Sequence, residues 1–67
     1  MKVVVNGADR ELAEGVTLAQ ILEQFGLALQ SGVAVAVNES VVPRGNLQEY
    51  RPRDGDAIEI INAVAGG

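Results

Sequence analysis

A short chain can do chemistry only through a nucleophile, a base, a set of metal ligands or an activatable end. This chain of 67 residues offers few of them. It has no Cys, no His and no Trp, which removes thiol and imidazole nucleophiles and the common zinc ligands. Three groupings remain. Asp54 and Asp56 flank Gly55, a spacing that suits paired carboxylates for acid–base work or metal ligation. Asp-Gly-Asp is equally what a β-turn prefers, and the turn is the stronger reading. Arg44, Arg51 and Arg53 form a loose basic loop, read as solvated charge, with Arg44 kept as a candidate docking contact. The third grouping is the end of the chain, Ala63-Val64-Ala65-Gly66-Gly67.

Glycine at a chain end has no turn to make and no side chain to pack. The plain reading is a frayed terminus. The chemical reading is more specific. Residues 63–67 reach about 16–18 Å when extended, and their small side chains suit a narrow channel. Without Cβ atoms, the last residues let a partner's backbone and a nucleotide phosphate approach the terminal carboxylate. That carboxylate is a resonance-stabilised anion and a poor electrophile. As an acyl-adenylate it becomes attackable by sulfur or nitrogen, with Mg²⁺ and cationic groups supplied by the partner. In a chain without Cys, carried sulfur has to sit on the C-terminal carbon as a thiocarboxylate.

Five Lys or Arg against nine Asp or Glu give a net charge of −4. Nucleic-acid binding needs clustered basic residues, and here they are scattered, so no nucleic-acid partner is expected. A basic protein partner fits better, because opposite charge accelerates encounter. The longest apolar run, Val33 to Val37, is far below a membrane span. Charges at Asp9, Arg10 and Glu11 interrupt any leader pattern, so a cytoplasmic protein without a membrane partner is expected. The length allows one domain. With neither disulfides nor a structural metal to help, the fold rests on one apolar core, for which 48% hydrophobic residues suffice. A domain this small is not expected to bury a catalytic pocket, and no catalytic residue or metal ligand is assigned.

The elements that must position these groups follow from pattern. Met1 to Val5 is β-branched and favours a strand. Asn6-Gly7 is a hairpin signal, and Ala8 to Ala13 reads as the return strand. A two-residue turn pairs Val5 with Ala8 and Lys2 with Glu11; a four-residue loop pairs Val3 with Leu12. The sequence does not choose between them. Thr17 is a good N-cap, Gln20 completes a capping box, and Val16 with Ile21 forms a hydrophobic staple. Leu18, Ile21, Leu22 and Phe25 make one apolar stripe, and Gly26 suits the left-handed residue that ends a helix. Val33 to Val37 alternates bulky and small residues, as a central strand does with its bulky face toward the helix. Val41-Val42 is a short strand, placed at an edge by Pro43. Gly45 to Arg53 reads as irregular, pinned by Leu47 and Tyr50. Asp54-Gly55-Asp56 turns the chain into a last strand, Ala57 to Ile61, with Ile58 and Ile60 on one face and Glu59 on the other. That strand has to lie beside the first. The result is an α+β fold, a β-grasp, with a mixed sheet of four or five strands and one helix across it. It spans residues 1–62 and leaves 63–67 as a flexible C-terminal tail.

Several strings carry a family resemblance. They are Asn6 after the first strand, the Thr17-Leu18…Leu22 helix start, and Val35-Ala36-Val37-Asn38 followed by Val41-Val42-Pro43-Arg44. Asp54-Gly55-Asp56-Ala57-Ile58-Glu59-Ile60 and Ala63-Val64-Ala65-Gly66-Gly67 complete the set. Together these resemble the ThiS family, the ubiquitin-like sulfur carriers of bacterial thiamine biosynthesis, over essentially the whole chain. The resemblance implies that Gly67 is adenylated by an E1-like enzyme (ThiF) using ATP and Mg²⁺, while the carrier binds no cofactor of its own. Sulfur from a cysteine-desulfurase persulfide would then give a Gly67 thiocarboxylate. Thiazole synthase (ThiG) would take the sulfur while building the thiazole phosphate from deoxyxylulose phosphate and a glycine-derived imine. Residues 63–66 would thread the partners' active sites, and the sheet face away from the helix, with Val4 and Ile61, would dock on them. The chain is thus expected to be a cosubstrate and not an enzyme. Other readings of a Gly-Gly end are sulfur carriage for tRNA thiolation or molybdopterin, modification of proteins through isopeptide bonds, and an interaction domain with an idle tail.

Overall fold

The first hairpin settles its register by backbone geometry. Asn6 and Gly7 have φ values of 51° and 82°, the left-handed pair of a type I′ turn, whose twist matches the strands it joins. In the computed structural model, which describes residues 1–27 and 32–62, β1 (Lys2–Val5) therefore pairs with β2 (Ala8–Glu11), Val5 opposite Ala8 and Lys2 opposite Glu11. The four-residue alternative is excluded. β2 stops at Glu11, short of the expected Ala13, and Leu12 closes the ladder by donating its amide to the Met1 carbonyl at 2.8 Å.

Helix α1 (Leu18–Gln24) begins at the expected box. The Gln20 amide donates to Thr17 Oγ1 at 3.2 Å, and the Thr17 amide donates to Gln20 Oε1 at 2.8 Å. The remaining first-turn donors are met from elsewhere in the chain. Leu18 donates to the Tyr50 carbonyl and Ala19 to the Leu47 carbonyl, each at 2.9 Å. The helix ends in a Schellman arrangement around Gly26 (φ 75°), with Leu27 donating to Leu22 and Gly26 to Glu23.

Strands β3 (Val33–Val37), β4 (Ser40–Val42) and β5 (Ala57–Asn62) complete a five-stranded sheet in the order β2-β1-β5-β3-β4. β5 runs parallel to β1 and antiparallel to β3, so the last strand is the central one. β4 sits at the edge, as Pro43 requires. The helix presents Leu18, Ile21 and Leu22 to Val3, Val5, Val35, Val37, Ile58 and Ile60, all buried in one cluster. Phe25 lies at the rim of this core, with the Arg10 guanidinium 5.1 Å from its ring centroid.

Two expectations about the segment from Gly45 to Arg53 change. It opens inside a short 3₁₀ turn, Arg44–Asn46. Leu47 is buried as expected, but the Tyr50 side chain is exposed; Tyr50 anchors the segment through its carbonyl, and Pro52 supplies the buried side chain.

Candidate functional site

The sequence places the reactive group at Gly67, with Gly66, Ala65, Val64 and Ala63 leading to it. These five residues, and with them the tail, lie outside the described residues. What the structure shows is the element that delivers them. β5 is the central strand, anchored on the core side by Ile58 and Ile60. It pairs with β3 as far as Asn62 opposite Val33, so the chain enters residue 63 from a strand still held in the sheet.

β5 outruns its neighbour on the other side. Its pairing with β1 covers Val4 with Ala57 and Val5 with Ile58, and then the chain turns away at Asn6-Gly7. Asn6 bridges the gap. Its amide donates to the Ile58 carbonyl at 2.9 Å, and its Oδ1 accepts from the Ile60 amide at 2.8 Å. The start of β5 is held the same way from the opposite flank. Asn38 Oδ1 accepts from the Ala57 amide at 3.0 Å, and the Asn38 amide donates to the Ala57 carbonyl at 2.8 Å. Both asparagines have φ 51°, a conformation Asn tolerates better than most residues. The hairpin reading of Asn6-Gly7 did not reach this second use of the carboxamide. Its signal is local only in part, since the partner amide is 54 residues away.

The carboxylate pair serves the backbone. Asp54 Oδ1 accepts from the Lys2 amide at 2.7 Å. Asp56 accepts from Asn38 Nδ2 at 3.0 Å and from the Arg53 amide at 2.8 Å. Both side chains are thereby tied into the turn that starts β5. Arg51 donates through Nε to the Gly15 carbonyl at 3.2 Å, which joins the loop to the helix approach.

The sheet face turned away from α1 carries two of the three candidate docking residues. Val4 is half-buried there, and Ile61 is 43% exposed. Register puts Ala57, Glu59, Ala34, Ala36 and Val41 on the same face. Val41 on the edge strand is 69% exposed. A depression of about 500 Å³ crosses this face, lined by Val4, Gly7, Ala57, Glu59 and Glu39 among others. Arg44 is exposed but opens the 3₁₀ turn, off the sheet. The structure thus brings Val4 and Ile61 to one surface and leaves Arg44 outside it. Of the acidic groups at this surface, Glu59 was placed on the outer face from sequence, whereas Glu39 was not, because it reaches the surface only through the β3–β4 turn.

One helix held across a five-stranded mixed sheet, with the C-terminal strand in the middle and Gly-Gly a few residues beyond it, defines a ubiquitin-like β-grasp protein. The ThiS family profile matches residues 3–67. The sulfur carrier protein ThiS of Escherichia coli (strain K12) is 34% identical over the full length of both chains. A thiazole synthase of Paramagnetospirillum magneticum is 33% identical over all 67 residues, which correspond to 20% of that larger protein. The crystal structure of a thiamine biosynthesis protein (ThiS) from Geobacter metallireducens superposes with a TM-score of 0.82 at 29% identity, covering both chains completely. The chain belongs to the ThiS family, which places it among the sulfur carriers of thiamine biosynthesis.

Proposed function

We propose that this chain carries sulfur to thiazole formation as a thiocarboxylate on Gly67, acting as a cosubstrate and not as a catalyst. The observation that carries this reading is the extent of the family match, which runs through Gly66 and Gly67. The residue chemistry supports it. A chain without Cys or His has no side chain suited to carry a persulfide or to activate one.

An E1-like enzyme (ThiF) binds ATP and Mg²⁺ and joins AMP to the Gly67 carboxylate, releasing pyrophosphate. The outer sulfur of a cysteine-desulfurase persulfide attacks the acyl-adenylate and displaces AMP, giving an acyl disulfide. A second thiol of the donor system breaks its S–S bond, leaving the Gly67 thiocarboxylate and a disulfide between the two thiols. Thiazole synthase (ThiG) is the acceptor. The match to a segment of a protein named thiazole synthase supports that pairing, because it puts a similar sequence in the same chain as the acceptor. The chain's own contribution is to hold β5 rigid and present residues 63–66 to a channel. Val4 and Ile61 on the open sheet face dock on the partners, with Arg44 as a separate contact. The cytoplasm is the compartment where these partners and ATP meet. Among the described residues, no helix is long and apolar enough to cross a membrane.

The test is intact mass. Incubation with the activating enzyme, ATP, Mg²⁺ and a sulfur donor is expected to add about 16 Da at Gly67, one oxygen becoming sulfur. No gain, where a control carrier reacts, overturns the reading.

A further inference from the structure

We infer that Asn6 is a positioning residue for the reactive glycine: its carboxamide fixes the line along which β5 delivers the tail. This rests on the carrier reading above. The observation is the unequal support of β5 along its two edges. On the β3 side the ladder continues to Asn62. On the β1 side strand pairing ends at Ile58, and the Ile60 amide faces a chain that has already turned back. Asn6 Oδ1 stands where the next β1 carbonyl would be, 2.8 Å from that amide. With its own amide on the Ile58 carbonyl, Asn6 grips β5 at two alternate residues, Ile58 and Ile60, and extends the parallel pairing by one step.

The turn alone does not call for this. A type I′ turn accepts Gly or Asp at its first central position as readily as Asn. Only a side chain with an acceptor at this reach can hold Ile60. The grip lies three residues before residue 63, where β5 hands over to the segment that ends in Gly67. Asn38 makes the matching bond to Ala57 at the far end of the strand. It secures β5 equally but lies three residues earlier, away from the exit.

The pair supplies the experiment. Asn6→Gly keeps the φ of 51° comfortable and deletes only the carboxamide. Asn6→Asp keeps an acceptor at the same reach. Asn38→Gly removes the equivalent bond at the strand start. In Asn6→Gly, hydrogen exchange at the Ile60 amide is expected to accelerate. The kcat of Gly67 adenylation by the E1-like enzyme is expected to fall by about tenfold, with KM changing far less, because Val4 and Ile61 stay in place and aim is what is lost. Asn6→Asp is expected to recover to within about threefold of wild type. Asn38→Gly is expected to lose stability without losing kcat. The inference is overturned by wild-type kcat in Asn6→Gly, by unchanged Ile60 exchange, by an Asn6→Asp variant as slow as Asn6→Gly, or by an equal loss in Asn38→Gly. A wild-type chain that takes up no sulfur overturns the carrier reading and this inference with it. A wild-type chain that reacts beside an equally reactive Asn6→Gly overturns the inference alone.

Discussion

Three left-handed residues other than glycine shape the chain's two hairpins, and they are not equivalent. Asn6 and Asn38 sit at φ 51°, and each uses its carboxamide on a β5 amide. Glu39 sits at φ 73°, a region where a side chain with a Cβ is strained by roughly 1–2 kcal/mol. It has neither the short amide that makes the region tolerable for Asn nor glycine's freedom. Glu39→Gly should therefore raise stability by about 0.5–1 kcal/mol, the relief less the extra freedom glycine gives the unfolded chain. The midpoint of urea unfolding measures it, and a lower midpoint shows that the carboxylate makes a stabilising contact worth more than the strain. The strained residue lines the open sheet face. If that face docks on the activating enzyme, the same variant should bind it more weakly while folding more firmly.

At the scale of elements, α1 is short at seven residues and cannot stand alone, since isolated helices shorter than about 12–15 residues are marginal in water. Its ends are closed by local chemistry: the Thr17–Gln20 box at one end and the Gly26 turn at the other. Its free energy comes from the stripe it buries. Leu22 is 0% exposed, in the middle of that stripe. Leu22→Ala is expected to cost about 2–5 kcal/mol, the transfer term plus an unfilled cavity. Against the stability of about 5 kcal/mol at the low end for small domains, the variant should be largely unfolded or close to it. Thermal unfolding followed by circular dichroism checks this, and a melting curve like that of wild type would remove α1 from the core. The capping box, the stripe and the terminating glycine were all legible in sequence, because each depends on residues within one or two turns of one another. The Leu47 and Tyr50 carbonyls that satisfy Leu18 and Ala19 were not legible, because backbone acceptors carry no residue signature.

For the molecule as a whole, the described core closes before the segment on which we place the reactive carbon. Among the described residues, every buried apolar side chain lies at or before Ile60. Deleting Gly66 and Gly67 is thus expected to leave the unfolding transition where it is while abolishing the gain of about 16 Da in the activation assay. A shifted transition would show that the tail packs on the fold; a retained mass gain would place the reactive carbon elsewhere. The net charge of −4 belongs to this scale too. It favours encounter with a basic surface and does nothing to specify the fold.

What the sequence determined by itself is whatever is encoded by near neighbours or by residue type. The chemistry available was fixed by the absence of Cys and His and by the presence of Gly-Gly. Helix α1, the Asn6-Gly7 turn, the alternation of β3 and the turn at Asp54-Gly55-Asp56 were each set by spacing within a few residues. Even the place of the last strand beside the first followed, since Met1–Val5 was the other long apolar strand it could join; its central position in the sheet did not. Tertiary structure decided what depends on distant groups meeting. It chose the hairpin register, gave Asp54 and Asp56 their backbone partners, and set Val4 and Ile61 on one face while leaving Arg44 off it. It also gave Asn6 a second task at Ile60. Hydrogen bonds between residues more than fifty positions apart leave no period in a sequence, so only the folded sheet shows how the strand that leads to Gly-Gly is held.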